Sequence, residues 1–359
     1  MTARDEILDA ARSGRTVRDA DLRGVDLSYA ALDRVVFEGC DLSGAVLIGA
    51  RLGGARFERT SLADALASDL TAEGSSWSSC DLSGADLTGS ALDRATFDRA
   101  RLVRTLLSRA SLVGASITGS RLERADLADA KLEGASLART TVLRAYFTGA
   151  DLSRADLRAA TISLSTFTGA SLIDARADGA RIERTLVDHA RAPRLGLRGA
   201  NLEDSTFSDT DLRSADLRSA VAPQASFARA DLREARLAGI EAPRACFDGA
   251  ILDGAELAGA ALGASSWRGA QARAVRAARV DLSRAQLCGA TLDGADLREA
   301  RLDQADLSRA VLDGADLRGA ELRAANLHRV SSERARWEGA NRTTARTTDP
   351  ERARAEDFR

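Results

Sequence analysis

The sequence predicts an all-β solenoid in which a five-residue unit repeats with very little variation. From Ala20 the chain reads ADLRG, VDLSY, AALDR, VVFEG, and the third residue of most units is Leu or Phe. This third position falls on every residue number ending in 2 or 7, through 64 units without an insertion or deletion. The residue two places earlier is small, so each unit offers one large and one small inward side chain.

These units resemble the A(D/N)LXX signature of the pentapeptide-repeat family, and the resemblance covers residues 20 to 340. It implies a right-handed quadrilateral β-helix with one unit per side, about twenty residues per coil and about 16 coils at the ~4.8 Å strand spacing. The expected organisation is a capping helix at 1–19, a single β-helix at 20–340 and a polar tail at 341–359. Within the capping segment, Ile7, Leu8 and Ala11 share one helical face and are predicted to cover the first coil.

Large side chains give a separate test of a twenty-residue coil, because residues twenty apart should then stack. Aromatic residues recur at this spacing in two columns, interrupted only by Val187 in the second. The columns are Phe37, Phe57, Trp77 and Phe97, and then Phe147, Phe167, Phe207, Phe227, Phe247 and Trp267. A helical period predicts neither column, so the β-solenoid is favoured.

The fifth position of each unit is predicted to be a turn residue. Glycine is concentrated there, as at Gly24 and Gly44, because a type II turn needs positive φ at that point. Other units carry Arg instead, as at Arg94, Arg154 and Arg284, and we expect those corners to use a different turn type.

The residues that usually carry chemistry are sparse. The two histidines, His189 and His328, are far apart, and the four cysteines form no CxxC pair. Cys40 and Cys80 fall on inward small positions and are predicted to be packing residues, whereas Cys246 and Cys288 fall on outward positions. No hydrolase, P-loop or dinucleotide motif is present, so we expect no catalytic, cofactor-binding or metal-binding residues, no small-molecule substrate and no enzyme activity.

The composition favours a cytoplasmic protein. The N-terminal segment is charged and lacks an apolar core, and no apolar run approaches the roughly 20 residues that a membrane span needs. The formal net charge is −2, and no basic stripe with interleaved aromatic residues is visible, so direct nucleic-acid binding is not expected.

Two surface features are candidates for binding a protein partner. The first is an interaction strip of outward apolar residues at multiples of twenty: Val46, Leu66, Leu106, Tyr146 and Leu186, with Ile48 beside them. The second is an acidic face formed by Asp21, Asp26, Asp41, Asp81 and Asp86. Charge is also uneven, because residues 1–100 carry 11 basic and 17 acidic side chains and residues 101–200 carry 16 and 10.

These features predict a non-catalytic rigid rod that acts as a protein–protein interaction scaffold or accessory protein, for example of a bacterial secretion or assembly system. The family resemblance implies an alternative, a DNA mimic that binds DNA gyrase or another type II topoisomerase and confers antibiotic or toxin resistance. Abundant arginines interrupt the acidic row and weigh against this alternative. The last coil carries no obvious cap, so a homodimer is compatible with the sequence.

Overall fold

The computed structural model describes residues 2–357, and the chain divides into two compact units, unit 1 (Met1–Arg181) and unit 2 (Ile182–Arg359). Two helices and eight short strands are regular elements within these residues. They are α1 (Ala3–Ser13), β1 (Thr16–Arg18), β2 (Val36–Glu38), β3 (Arg56–Glu58), β4 (Ser76–Ser78), β5 (Arg121–Glu123), β6 (Thr141–Leu143), β7 (Thr161–Ser163), β8 (Arg181–Glu183) and α2 (Pro350–Asp357).

Each unit is a parallel β-solenoid with a register of twenty residues. In unit 1, β1 to β4 pair in parallel with Phe37 opposite Phe57, and single bridges such as Val46 to Leu66 repeat the same offset. In unit 2, bridges such as Asp211 to Asp231 have the same offset. With one turn per five residues, a twenty-residue register gives four sides per coil, which confirms the predicted fold class.

We name the sides by their central inward residues. Side A is centred on Phe37 and Phe57, side B on Leu22 and Leu42, side C on Leu27 and Leu47, and side D on Leu32 and Leu52. The same letters denote the corresponding positions of unit 2, counted in steps of twenty. Sides A and C are opposite sides of a coil, as are B and D.

Regular strands mark fewer coils than the about 16 that were predicted. Three-residue strands mark about eight coils, with β1 to β4 on side A and β5 to β8 on side B. In most other pentapeptides the corner turn begins directly after a single bridged residue. For example, the Ala45 N–H donates to the Leu42 carbonyl at 2.9 Å. Those sides therefore contribute a bridge and no regular strand.

The prediction that arginine corners use a different turn type from glycine corners is wrong. The fifth residue has positive φ in both kinds of unit, with values of 66° at Gly44, 57° at Arg94 and 59° at Arg154. The left-handed conformation costs a non-glycine residue roughly 1–2 kcal/mol. The ladder bonds on either side of the corner hold it there, since the Arg94 N–H donates to the Val113 carbonyl at 2.9 Å.

The core consists of the central apolar residues and the small residues two places before them, nearly all fully buried. The predicted aromatic columns are confirmed as stacked rings in unit 1 on sides A and C and in unit 2 on side C. Ring centroids lie 4.1 Å apart for Phe57 and Trp77, 4.5 Å for Phe147 and Phe167, and 5.1 Å for Phe227 and Phe247.

Buried hydroxyl groups at the small positions donate to the backbone, which makes their burial tolerable. Thr105 Oγ1 donates to the Leu82 carbonyl at 2.8 Å. Ser75 Oγ has a second role, because it accepts a hydrogen bond from Trp77 Nε1 at 2.7 Å and donates to the Ala72 carbonyl at 2.6 Å.

Helix α1 covers the first coil of unit 1, as predicted, although its buried face differs. Ile7 and Ala10 are buried, whereas Leu8 and Ala11 are only partly covered. Thr2 and Asp5 form a capping box at the helix start. Arg4 donates to the carbonyls of Asp26 and Ser28 at 2.5 and 3.1 Å, so one side of the exposed ladder edge is occupied.

The tail of unit 2 folds back through helix α2. Glu356 lies 2.6 Å from Arg309 and 3.4 Å from Arg329, and the Arg329 N–H donates to Thr348 Oγ1 at 2.9 Å. On the last coil, Trp337 stays partly exposed, with the Arg342 guanidinium 5.1 Å from its ring centre. The tail thus contacts a corner of the solenoid and leaves this last inward aromatic residue partly open.

Candidate interaction surfaces

The predicted interaction strip lies on side C. Its outward side chains are exposed by 49% at Leu66, 41% at Leu106 and 54% at Tyr146, all in unit 1, and by 48% at Leu186 in unit 2. These four are a majority of the seven large apolar side chains that are exposed in the described part of the chain. Within unit 1, three of the five exposed large apolar side chains therefore lie on side C.

The strip is not continuous, since Asp86 and Asp126 lie in the same column between its apolar members. Both carboxylates turn back to the chain, and each accepts a hydrogen bond from a backbone N–H two residues on, at 3.0 Å. Apart from Asp26 on the first coil, the other outward positions of side C in unit 1 hold apolar, Ser and Thr residues, and none holds Lys or Arg. This makes side C of unit 1 a flat surface of weak negative charge.

Tyr29 extends this surface and was not predicted from the sequence because it occupies a corner position. Its side chain is 78% exposed, and a Cβ built on Gly49 would lie 2.7 Å from its ring. The ring therefore lies over Gly49, next to Ile48. The sequence does carry a signal for this contact: Tyr29 occupies a corner position, and the residue twenty positions later, at the same corner of the next coil, is a glycine.

The five candidate acidic residues do not form one row. Asp21, Asp41 and Asp81 lie on side B with Ser61 among them, whereas Asp26 and Asp86 lie on side C. Asp41 and Asp81 each accept hydrogen bonds from the backbone N–H and hydroxyl of a serine two residues on. Hydrogen bonds from Ser28 lower the pKa of Asp26.

Seven pentapeptides contain the sequence Asp-Leu-Arg, and in each of them the arginine neutralises the charge of the aspartate. Side chains two residues apart on a strand share a face, which lets each arginine form a two-point ion pair with its aspartate. In the first of these units, hydrogen bonds from Arg23 lower the pKa of Asp21 to about 2. The arginines concerned are Arg23, Arg158, Arg213, Arg218, Arg233, Arg298 and Arg318.

Another set of arginines, on side B of unit 1 and its following corner, lacks this arrangement. Arg101 and Arg121 are bridged neighbours on the ladder, and Arg104, Arg124 and Arg144 follow one another along the corner. All five are exposed. Arg121 pairs with Glu123 at 2.6 Å, but the other four form no ion pair within 4 Å among residues 2–357. The sequence analysis identified the excess of basic residues in 101–200 but did not place them on one side of the solenoid. Aligning the sequence in rows of twenty residues would have shown that placement.

The cysteines and histidines form no chemical cluster. Cys40 and Cys80 are buried, and burial raises the pKa of the Cys80 thiol to about 12, whereas Cys246 and Cys288 are partly exposed. Buried His328 lies 3.5 Å from Glu356 near α2. Within residues 2–357, no group of three or more His, Cys, Asp or Glu side chains could hold a metal ion.

One open groove of unit 2 illustrates how charge is balanced elsewhere. It has a volume of about 720 Å³ and is lined by Arg236, Glu256 and Arg276, among others. Arg276 lies 2.5 Å from Glu256, and the lining as a whole holds three arginines and three carboxylates, so its charges balance.

Neither helix that the structure describes is long and apolar enough to cross a membrane.

The twenty-residue register, four turns per coil and inward Leu and Ala columns define a β-solenoid repeat protein. A family model for pentapeptide repeats matches most of the chain. The matched stretches are 20–59, 40–69, 60–99, 92–129, 125–163, 150–186, 197–233, 210–254, 255–294 and 290–329. The chain belongs to the pentapeptide-repeat family. No curated protein sequence matches it.

Among solved structures, the chain is similar to HetL, a pentapeptide repeat protein involved in heterocyst differentiation regulation in the cyanobacterium Nostoc sp. strain PCC 7120. The identity is 24% over 77% of this chain and 86% of HetL, with a TM-score of 0.29. It is also similar to QnrB1, a plasmid-mediated fluoroquinolone resistance protein, at 15% identity over 52% of this chain and 94% of QnrB1, with a TM-score of 0.31. A pentapeptide repeat protein from the Arabidopsis thaliana thylakoid lumen is 32% identical over 31% of this chain and 68% of its own, with a TM-score of 0.12. At these TM-scores the family assignment rests on the repeat sequence alone.

Proposed function

We propose that this protein is a non-catalytic protein-interaction scaffold and that side C of unit 1 is its docking surface. The observation that carries the proposal is the exposure of Leu66, Leu106 and Tyr146, each by more than 40%, on a side whose outward strand positions hold no basic residue. Burial of apolar side chains is worth roughly 25 cal/mol per Å², so such residues are the natural anchors for a partner. The flat ladder suits a partner that presents an apolar surface with a basic rim to match Asp86 and Asp126.

The test is binding by the full chain and by two surface variants. With the purified chain as bait in a bacterial lysate, we expect a specific protein to be retained, and the double variant L66D/L106D to lose it. Val221→Asp is the matched control, because Val221 is 39% exposed but lies on side B of unit 2. Equal retention by the wild type and L66D/L106D would remove side C from the proposal, as would equal loss with the control. Hydrolase and transferase assays on the same preparation are expected to show no activity.

The DNA-mimic alternative remains a prediction, and the geometry gives it no particular support. Its candidate carboxylates divide between sides B and C, and Asp21 is already paired with Arg23 at 2.6 Å. A gyrase supercoiling assay separates the two functions. Inhibition of gyrase, or protection of gyrase from a quinolone, at micromolar protein would favour mimicry, and an inert protein would exclude it.

A further inference from the structure

Side B of unit 1 changes sign halfway along the solenoid. On this side, the first outward residue of successive coils is Asp21, Asp41, Ser61 and Asp81 and then becomes basic at Arg101 and Arg121. The corner that follows behaves in the same way, with Asp64 on the acidic half and Arg124 on the basic half. Asp81 and Arg101 are bridged neighbours, so the change occurs between two consecutive coils.

Among residues 2–357, neither half is fully neutralised by ion pairs of its own. On the basic half, Arg101 and Arg121 are adjacent on the ladder at about the 4.8 Å strand spacing, where like charges repel each other. Glu123 is the one carboxylate that outward positions of this half contribute, and it already pairs with Arg121. On the acidic half, Asp41 and Asp81 accept hydrogen bonds mainly from neutral serine groups. Arg23 is paired with Asp21 and only approaches Asp41, at 3.8 Å.

A two-fold axis matches these halves to each other. If the axis lies in the plane of side B, parallel to its strands and between the coils of Asp81 and Arg101, it reverses the order of coils and keeps each column opposite itself. Asp81 of one copy then faces Arg101 of the other, and Asp64 faces Arg124. Each pair occurs twice because the interface is self-complementary.

We propose that side B of unit 1 is a self-association surface, on which a second copy of this chain packs with its solenoid antiparallel to the first. The inference goes beyond the proposed docking function, since it concerns a different side. Ser61, Ala63 and Ser83 keep the centre of the surface low, which allows the charged rows to approach. About eight coils of one side form a small interface, at the low end of the usual ~1,200–2,000 Å² range, so the dimer is weak and depends on charge.

The experiment is sedimentation of the full chain at low salt and at about 1 M salt, where charges are screened beyond ~3 Å. The wild type is expected to shift from a 37.9 kDa monomer toward a dimer as its concentration rises at low salt, and to remain a monomer at high salt. Asp81→Arg and Arg101→Asp each place like charges together at two points of the interface. Each variant alone is expected to associate at least about tenfold more weakly than the wild type.

Mixing the two variants gives the decisive result. The Asp81→Arg chain presents two arginines and the Arg101→Asp chain presents two aspartates, so a heterodimer of the two recovers both ion pairs. We expect the mixture to dimerise where neither variant does alone. Asp151→Arg is the matched control, because Asp151 has the same hydrogen bonds from the serine two residues on but lies on side D.

A monomeric wild type at low salt would overturn the proposal, as would a mixture that stays monomeric. Equal weakening by Asp151→Arg would also overturn it, because the effect would then follow net charge instead of side B. Far-ultraviolet circular dichroism on each variant verifies that the solenoid is folded. A wild type that stays monomeric but is bound by an acidic peptide would assign the arginines to a different partner.

Discussion

At the scale of single residues, the two buried tryptophans show how the core of the solenoid accommodates a polar atom. The indole N–H groups of Trp77 and Trp267 each donate to a serine hydroxyl at 2.7 Å, and that serine is the small residue of the same unit. Both tryptophans therefore occur in the sequence Ser-Ser-Trp. A large ring is accepted in this narrow core because its one polar atom is satisfied locally.

The first prediction concerns this pair. Ser75→Ala leaves the buried Trp77 N–H without an acceptor, and an unsatisfied buried donor costs about 1–3 kcal/mol of unfolding free energy. Chemical denaturation of the wild type and variant measures the loss. In a Trp77→Phe background the donor is absent, so the same serine substitution should cost clearly less. An equal cost in both backgrounds would contradict the role assigned to Ser75.

A second prediction concerns the ion pair of the first Asp-Leu-Arg unit. The pKa of Asp21 is lowered from 3.8 to about 2 by hydrogen bonds from Arg23. The folded state thus binds this proton less readily than the unfolded state, so the stabilisation is present above pH 3.8 and is lost as the pH falls toward 2. Arg23→Gln should raise the pKa of Asp21 toward 3.8, as measured by carboxyl carbon chemical shifts. The titration of Asp26, which is governed by Ser28, should not move.

At the scale of elements, the corner is the part that could be predicted least well from the sequence. Glycine was correctly placed at the fifth position, but Arg94 and Arg154 have the same left-handed backbone. A local propensity cannot show this, since the conformation is imposed by the ladder bonds of the coils above and below. By contrast, the register and the aromatic columns followed from the sequence, because stacking at a fixed period leaves a direct trace in residue numbers. The composition of residues 101–200 showed an excess of arginine, but only the coil register shows that several of these arginines share side B.

The third prediction tests the corner directly. Gly44 has a φ of 66°, and a Cβ added there would meet no atom within 4 Å, so Gly44→Ala introduces backbone strain without a clash and should cost roughly 1–2 kcal/mol of unfolding free energy. Gly263 is the control: its φ is outside the left-handed range, and a Cβ there would meet only the Ser283 carbonyl at 3.8 Å. Gly263→Ala should be neutral or slightly stabilising, since it restricts the unfolded chain. Thermal unfolding of both variants compares them, and equal losses would show that backbone conformation is not the cause.

At the scale of the whole molecule, each coil depends on its neighbours. Each side of a coil buries one large inward side chain, and the ladder bonds and stacked rings join every coil to the coils on either side. A solenoid of this kind behaves as an array with nearest-neighbour coupling, in which damage to one coil weakens the coils beside it most. Ends matter for the same reason, and α1 provides a cover for the first coil through Ile7.

The last prediction measures how far such damage spreads. Phe57→Ala removes a fully buried ring that stacks on Phe37 and Trp77 and should cost about 3–5 kcal/mol. Hydrogen exchange is expected to quicken most for amides of the neighbouring coils in unit 1, such as that of Leu42, and least in the coils around Phe227. Phe227→Ala is the matched control, because Phe227 also stacks between two rings and is fully buried, and it should reverse the pattern. Uniform loss of protection along the whole chain in both variants would mean that all the coils unfold together as one cooperative domain.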